Sequence, residues 1–129
     1  MTLLNFLGIK TKRMPSNPYN RFIDSIPMAA ALTTYDANDP KIIVANKAHQ
    51  KLTGYTNAEL IGMSPRIFKG PLTDVHHSAE LKKAIKENDF FSGKLINYTK
   101  AGKPYDMMLT VVGVVIEGRK FYCGLKRPV

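Results

Sequence analysis

The stretch Lys41-Ile42-Ile43-Val44-Ala45-Asn46-Lys47-Ala48-His49-Gln50-Lys51-Leu52-Thr53-Gly54-Tyr55 changes character halfway along. Its first five residues read as a short strand, because Ile42, Ile43 and Val44 suit a pleated, buried surface. Asn46 then offers the short polar side chain that caps a helix, which runs to about Thr53 and stops at Gly54. Thr56 or Asn57 caps another short helix, Ala58 to Ile61, ended by Gly62.

Working upstream, Met28 to Tyr35 is a strand, joined to the first by the turn Asp36-Ala37-Asn38-Asp39-Pro40. Asn20 to Ile26 can form one or two helical turns with Phe22, Ile23 and Ile26 inward, and Pro27 ends them. Met14-Pro15-Ser16-Asn17-Pro18 is a breaker cluster, and Met1 to Arg13 is an amphipathic helix or arm. Downstream, Asp74 caps a helix with Leu81, Ala84 and Ile85 at helical spacing and Lys82, Lys83, Lys86 and Glu87 toward water. From Phe90 the period becomes that of strands: Phe91–Thr99, Tyr105–Ile116 and Arg119–Lys126, separated by Lys100–Lys103 and Glu117-Gly118. Three strands joined by tight turns make an antiparallel meander. Strands segregated from helices give an α+β fold, an antiparallel sheet with helices on one face. The organisation is an arm and linker over 1–19 and one domain over 20–127.

Composition narrows the function classes. The single cysteine, Cys123, excludes an intrachain disulfide and a cysteine-rich metal site. No apolar run approaches the roughly 20 residues of a membrane span, and the charge of the first stretch follows its apolar part, unlike a signal peptide. A cytoplasmic protein is expected. Nineteen Lys and Arg against ten acids leave a net charge of +9, which could attract nucleic acid or an anionic surface. The basic residues are scattered and no nucleic-acid motif accompanies them. Catalytic motifs are missing too: no G-x-S-x-G, H-E-x-x-H, P-loop or Cys-His constellation occurs, so the chain is read as no enzyme.

Four segments together resemble PAS domains, in order and in spacing. They are Val44–Ala48 with Leu52-Thr53-Gly54-Tyr55; Glu59-Leu60-Ile61-Gly62-Met63-Ser64-Pro65-Arg66 continuing into Lys69-Gly70-Pro71; Asn97–Gly102; and Tyr122-Cys123-Gly124. The resemblance implies a five-stranded sheet in the order 2-1-5-4-3 with short helices across one face. It also implies a sensor and interaction module acting in signal transduction through contact with a signalling protein. The nearest branch is the blue-light LOV group, whose photocycle needs a thiol that this sequence replaces by Pro65. Of the groups that read a flavin ring there, Asn97 matches, while Met107, Lys126 and Ser64 replace the others; Arg66 and Lys82 stand where phosphate is held.

The resemblance and strand alternation place a candidate ligand pocket at Arg66, Leu95, Asn97, Met107, Leu109, Val111 and Tyr122. The expectation is no cofactor and no metal, with a non-covalent flavin or haem as the alternative. His76 or His77 is the candidate haem ligand, and His49 is read as a surface residue. Ile96, Tyr98, Met108, Thr110, Val112, Val114 and Phe121 alternate onto the other sheet face, too apolar to stay wet. With Leu3, Leu4, Phe6, Leu7 and Ile9 of the arm, they point to a homodimer.

Overall fold

A computed structural model describes residues 17–129. The elements are α1 (Pro18–Asp24), β1 (Ala29–Thr34), β2 (Ile42–Ala45), α2 (Lys47–Thr53), α3 (Asn57–Leu60), a 3-10 turn (Pro65–Phe68), α4 (Val75–Asn88), β3 (Phe90–Tyr98), β4 (Pro104–Ile116) and β5 (Arg119–Pro128). The five strands form one antiparallel sheet ordered β2-β1-β5-β4-β3. Both the topology and the order are those expected from the sequence. The arm residues Leu3 to Ile9 lie outside the described residues.

Capping chemistry sets the short helices. Asn46 Oδ1 accepts the backbone N–H groups of His49 at 2.9 Å and Ala30 at 3.0 Å, while Nδ2 donates to the Met28 carbonyl at 2.7 Å and the Ile23 carbonyl at 3.2 Å. One buried amide therefore starts α2 and fastens the end of α1 to β1. Gly54 ends α2 at φ +82°, a left-handed conformation that suits a residue without Cβ. Thr56 and Glu59 close a capping box on α3. The hairpin between β4 and β5 turns through Glu117 and Gly118, both at positive φ.

Alternation along the strands separates two faces. Phe121, Cys123, Ala30 and Leu32 point to one side, where Tyr19 and Ile23 of α1 cover them. Tyr19 meets Phe121 edge-on at 5.3 Å between ring centroids. The helix begins at Pro18 because Asn17 caps it, accepting the Tyr19 N–H at 2.8 Å, so Asn17 and Pro18 start a helix where composition suggests a breaker. Ala31, Ile42 and Ala45 face the other side, against Leu60 and Phe68. Most helices gather there; α1 is the exception.

Loop residues hydrogen-bond to part of both sheet edges. Ile42 donates to the Met63 carbonyl and receives Gly62, while Thr73 Oγ1 donates to the Ile96 carbonyl at 2.7 Å. Covering blunts the tendency of an open edge to recruit another strand.

Candidate functional site

Between the sheet and α4 lies a cavity of about 190 Å³. Odd-numbered β3 and β4 residues, Leu95, Asn97, Leu109 and Val111, form its floor together with even-numbered Tyr122, Gly124 and Lys126 of β5. The switch of parity follows from the register, which sets Val111 opposite Gly124 and Leu109 opposite Lys126. Phe68, Leu81 and Ile85 supply the opposite wall. Six of the seven pocket residues read from the sequence are thus brought together. Met107 is buried beside Leu95 and Pro128 but does not line the cavity.

The rim is basic. Arg66, Lys69 and Lys82 are exposed and border the cavity. Ser64 caps the 3-10 turn by accepting the Arg66 N–H at 3.2 Å, and the guanidinium reaches the Asn38 carbonyl at 3.5 Å, the limit of a hydrogen bond. Burial lowers the Lys69 pKa, and the charges of Arg66 and Lys82 lower it further. Three cations therefore crowd one opening with no carboxylate ion-paired to them among the described residues.

The inner end is polar without being satisfied. Asn97 is buried and donates locally to the Ile96 carbonyl at 3.2 Å. Lys126, 6% exposed, holds its Nζ 3.4 Å from the centroid of the Phe68 ring and has no hydrogen-bond partner. Such a cation–π contact returns about 2 kcal/mol when desolvated, less than the cost of burying an ammonium. Burial accordingly pushes the Lys126 pKa down to about 7.

His49 corrects the sequence reading. It is fully buried rather than on the surface, lines the same cavity, and neither ring nitrogen has a partner. Burial and then the nearby Lys126 charge push its pKa down to about 3, so the imidazole is neutral. The face that α2 turns inward carries His49 and Thr53, four apart and both polar, so a search for apolar spacing misses it. Thr53 Oγ1 satisfies itself on the His49 carbonyl at 3.0 Å. His76 and His77, by contrast, are exposed at the start of α4 and do not line the cavity, so the haem alternative has no buried histidine at those positions.

The one thiol is on the far side of the sheet. Cys123 sits among Tyr19, Leu32 and Phe121, and burial raises its pKa to about 11. Pro65 borders the cavity.

A sheet of this order with a cavity under its helices defines a sensor fold, and comparison with known proteins gives the family. The PAS domain model matches residues 28–125, and the chain belongs to the PAS domain family. It is 32% identical over 107 residues to a blue-light-activated histidine kinase of Brucella anthropi, covering 83% of this chain and 22% of that protein. It is 37% identical over 76 residues to Phototropin-2 of Oryza sativa subsp. japonica, covering 59% of this chain and 8% of that protein. The chain therefore spans less than a quarter of either relative. Among solved structures, a light-oxygen-voltage domain studied with a flavin analogue superposes with a TM-score of 0.76 at 21% identity, over 88% of this chain and 86% of that one. The LOV domain of the Erythrobacter litoralis EL346 blue-light-activated histidine kinase superposes with a TM-score of 0.73 at 22% identity, over 81% and 97%.

These likenesses overturn the expectation of no cofactor: a relative named as blue-light-activated resembles this chain in sequence, and a light-oxygen-voltage domain studied with a flavin analogue shares its fold. The ring-reading side chains taken singly mislead because the cavity as a whole joins a basic rim to an apolar floor. The residues present fit such a group, with cations at the opening, an apolar slot and hydrogen-bond donors within. Among the described residues no helix is long and apolar enough to cross a membrane.

Proposed function

We propose that this chain is a PAS sensor module that holds a flavin nucleotide non-covalently and passes its state on by protein–protein contact, in the cytoplasm and without catalysing a reaction of its own. One observation carries the reading: Arg66, Lys69 and Lys82 crowd the rim of a cavity whose floor is apolar, the arrangement that a phosphate on the tail of a flat apolar ring would relieve. The names of its relatives support it. Asn97 and the cavity walls would hold and orient the ring, and the rim cations would hold the phosphate. A bound flavin supplies absorption of blue light and a redox-active ring.

Flavin mononucleotide and riboflavin, titrated by fluorescence, test this. The nucleotide should bind more tightly, and the pair Arg66→Gln and Lys82→Gln should erase the difference. Absence of binding by both compounds overturns the reading. Because Cys123 is buried on the opposite face, blue light without a reductant should leave the flavin band unchanged; a dark-reversible loss of it contradicts this.

Homodimerisation is the mode of contact proposed. Phe90 is 50% exposed on the face opposite the cavity, and Met108, further along the same face of β4, is only half-buried. Light scattering of the full chain at tens of micromolar (a working concentration) should give twice the monomer mass.

A further inference from the structure

The inner end of the cavity carries a chemical demand that the rim does not. Lys126 places an ammonium over the Phe68 ring with no hydrogen-bond partner, and His49 beside it leaves both nitrogens unpaired. A neutral ring calls only for neutral donors and leaves a buried ammonium uncompensated, which is costly until an anion joins it. The described residues offer none: Asp36, on the cavity border, is exposed and accepts the Asn38 and Asp39 N–H groups. Remaining neighbours toward the floor are apolar or neutral, and the rim charges Arg66, Lys69 and Lys82 are of the wrong sign.

We propose that the inner end of this cavity is a receptor for the carboxylate of a small apolar acid. The Lys126 ammonium pairs with the carboxylate, the neutral His49 imidazole donates its one N–H to the same group, and Leu95, Leu109 and Val111 enclose the apolar body. The cavity of about 190 Å³ leaves room beside Lys126 for the apolar body of such an acid. A lysine whose proton is only loosely held, with a pKa near 7, regains it when an anion arrives. This site goes beyond the flavin reading and does not rest on it, since the rim cations carry that reading and Lys126 carries this one.

Calorimetric titration of the full chain with benzoate, benzamide and benzyl alcohol provides the test. Benzoate should bind about tenfold or more tightly than its two uncharged matches, as a charge-assisted pair requires. Lys126→Met should remove that margin and spare the benzamide affinity, whereas Arg66→Gln with Lys82→Gln should leave the margin intact. In the unaltered chain, NMR titration of the Lys126 ε-methylene should show its pKa rising on saturation with benzoate, a readout that survives any folding defect of the variants. Equal affinities, a margin that persists in Lys126→Met, a margin lost with the rim pair, or an unmoved Lys126 titration each overturns the proposal. Flavin mononucleotide titrated in parallel separates the two readings: its failure to bind leaves the benzoate result standing, and the reverse holds equally.

Discussion

The two faces of the central sheet use the same strands for opposite ends. On the α1 side, Leu32, Phe121 and Cys123 meet Tyr19 and Ile23 in a dry layer of buried apolar groups. At alternate positions of the same strands, Ala31, Tyr122 and Lys126 bound a void with an unpaired ammonium and an unpaired imidazole. Alternation with period two lets one β5 segment contribute to both, and a register slip of one residue would exchange them. Stability is concentrated on the first face, and the second is left incompletely satisfied, which is the condition for binding something.

Truncation should expose this difference most strongly. Leu32 is fully buried in the α1 layer, so Leu32→Ala should cost about 2–5 kcal/mol in a urea titration. Leu109 is part-buried and already borders a void, so Leu109→Ala enlarges an existing space and should cost about half as much. Equal losses at the two positions would show that the cavity face is packed as tightly as the other.

The contrast also explains what could be read from the chain. The elements were legible because Val, Ile and Leu alternation, the Asn46 and Asp74 caps and the Gly54 stop are local signals that agree with one another, whereas the strand order came from the resemblance to PAS domains and the pocket from that resemblance together with alternation. The helix α1 was displaced because Asn17 and Pro18, read as breakers, also make a cap and a first turn. His49 was misplaced because a buried imidazole has no periodic apolar signature. Met107 fell off the cavity wall although its parity is right, because it packs against Leu95 and Pro128 toward the end of β5. Lys126 was seen only as a substitution; its orphaned charge depends on Phe68, fifty-eight positions away in the chain and unreadable from either segment.

The unsatisfied face should respond to pH, and the dry face should not. The folded-state pKa of Lys126 lies near 7 against 10.5 unfolded, so between those values the unfolded chain binds more protons and stability rises with pH. From about pH 7 to about pH 9 the gain should be roughly 2 kcal/mol, before Cys123 begins to oppose it. Lys126→Met should stabilise the fold by a few kcal/mol below pH 7 and flatten this rise. Denaturant midpoints that climb identically in variant and parent refute the assignment. His49 acts lower on the scale. Its folded pKa near 3 lies below 6.5, so stability falls as pH drops below about 6.5, by roughly 2 kcal/mol at about pH 5. His49→Gln should remove that part of the acid sensitivity, leaving the contributions of Glu59 and Asp74, whose pKa values are lowered by hydrogen bonds to Lys100 and to the His76 N–H respectively.

The smallest effect belongs to a position between the two regions. Thr110 follows Leu109 on β4, so its side chain leaves the cavity and lies on the α1 face, beyond the cover of α1 itself. There its hydroxyl meets Ser92 Oγ at 3.0 Å across the β3–β4 pair. Cross-strand hydroxyl pairs of this kind contribute about 0.2–1 kcal/mol, and water replaces the lost partner where Ser92 is exposed. Thr110→Ala should therefore cost less than about 1 kcal/mol, below Leu109→Ala and well below Leu32→Ala. If the homodimer buries this patch, the same substitution also raises the concentration at which the dimer dissociates, measured by light scattering, because the hydroxyl pair then sits inside an interface. A loss of stability equal to that of Leu109→Ala in a monomeric sample would mean that side-chain alternation along β4 is reversed.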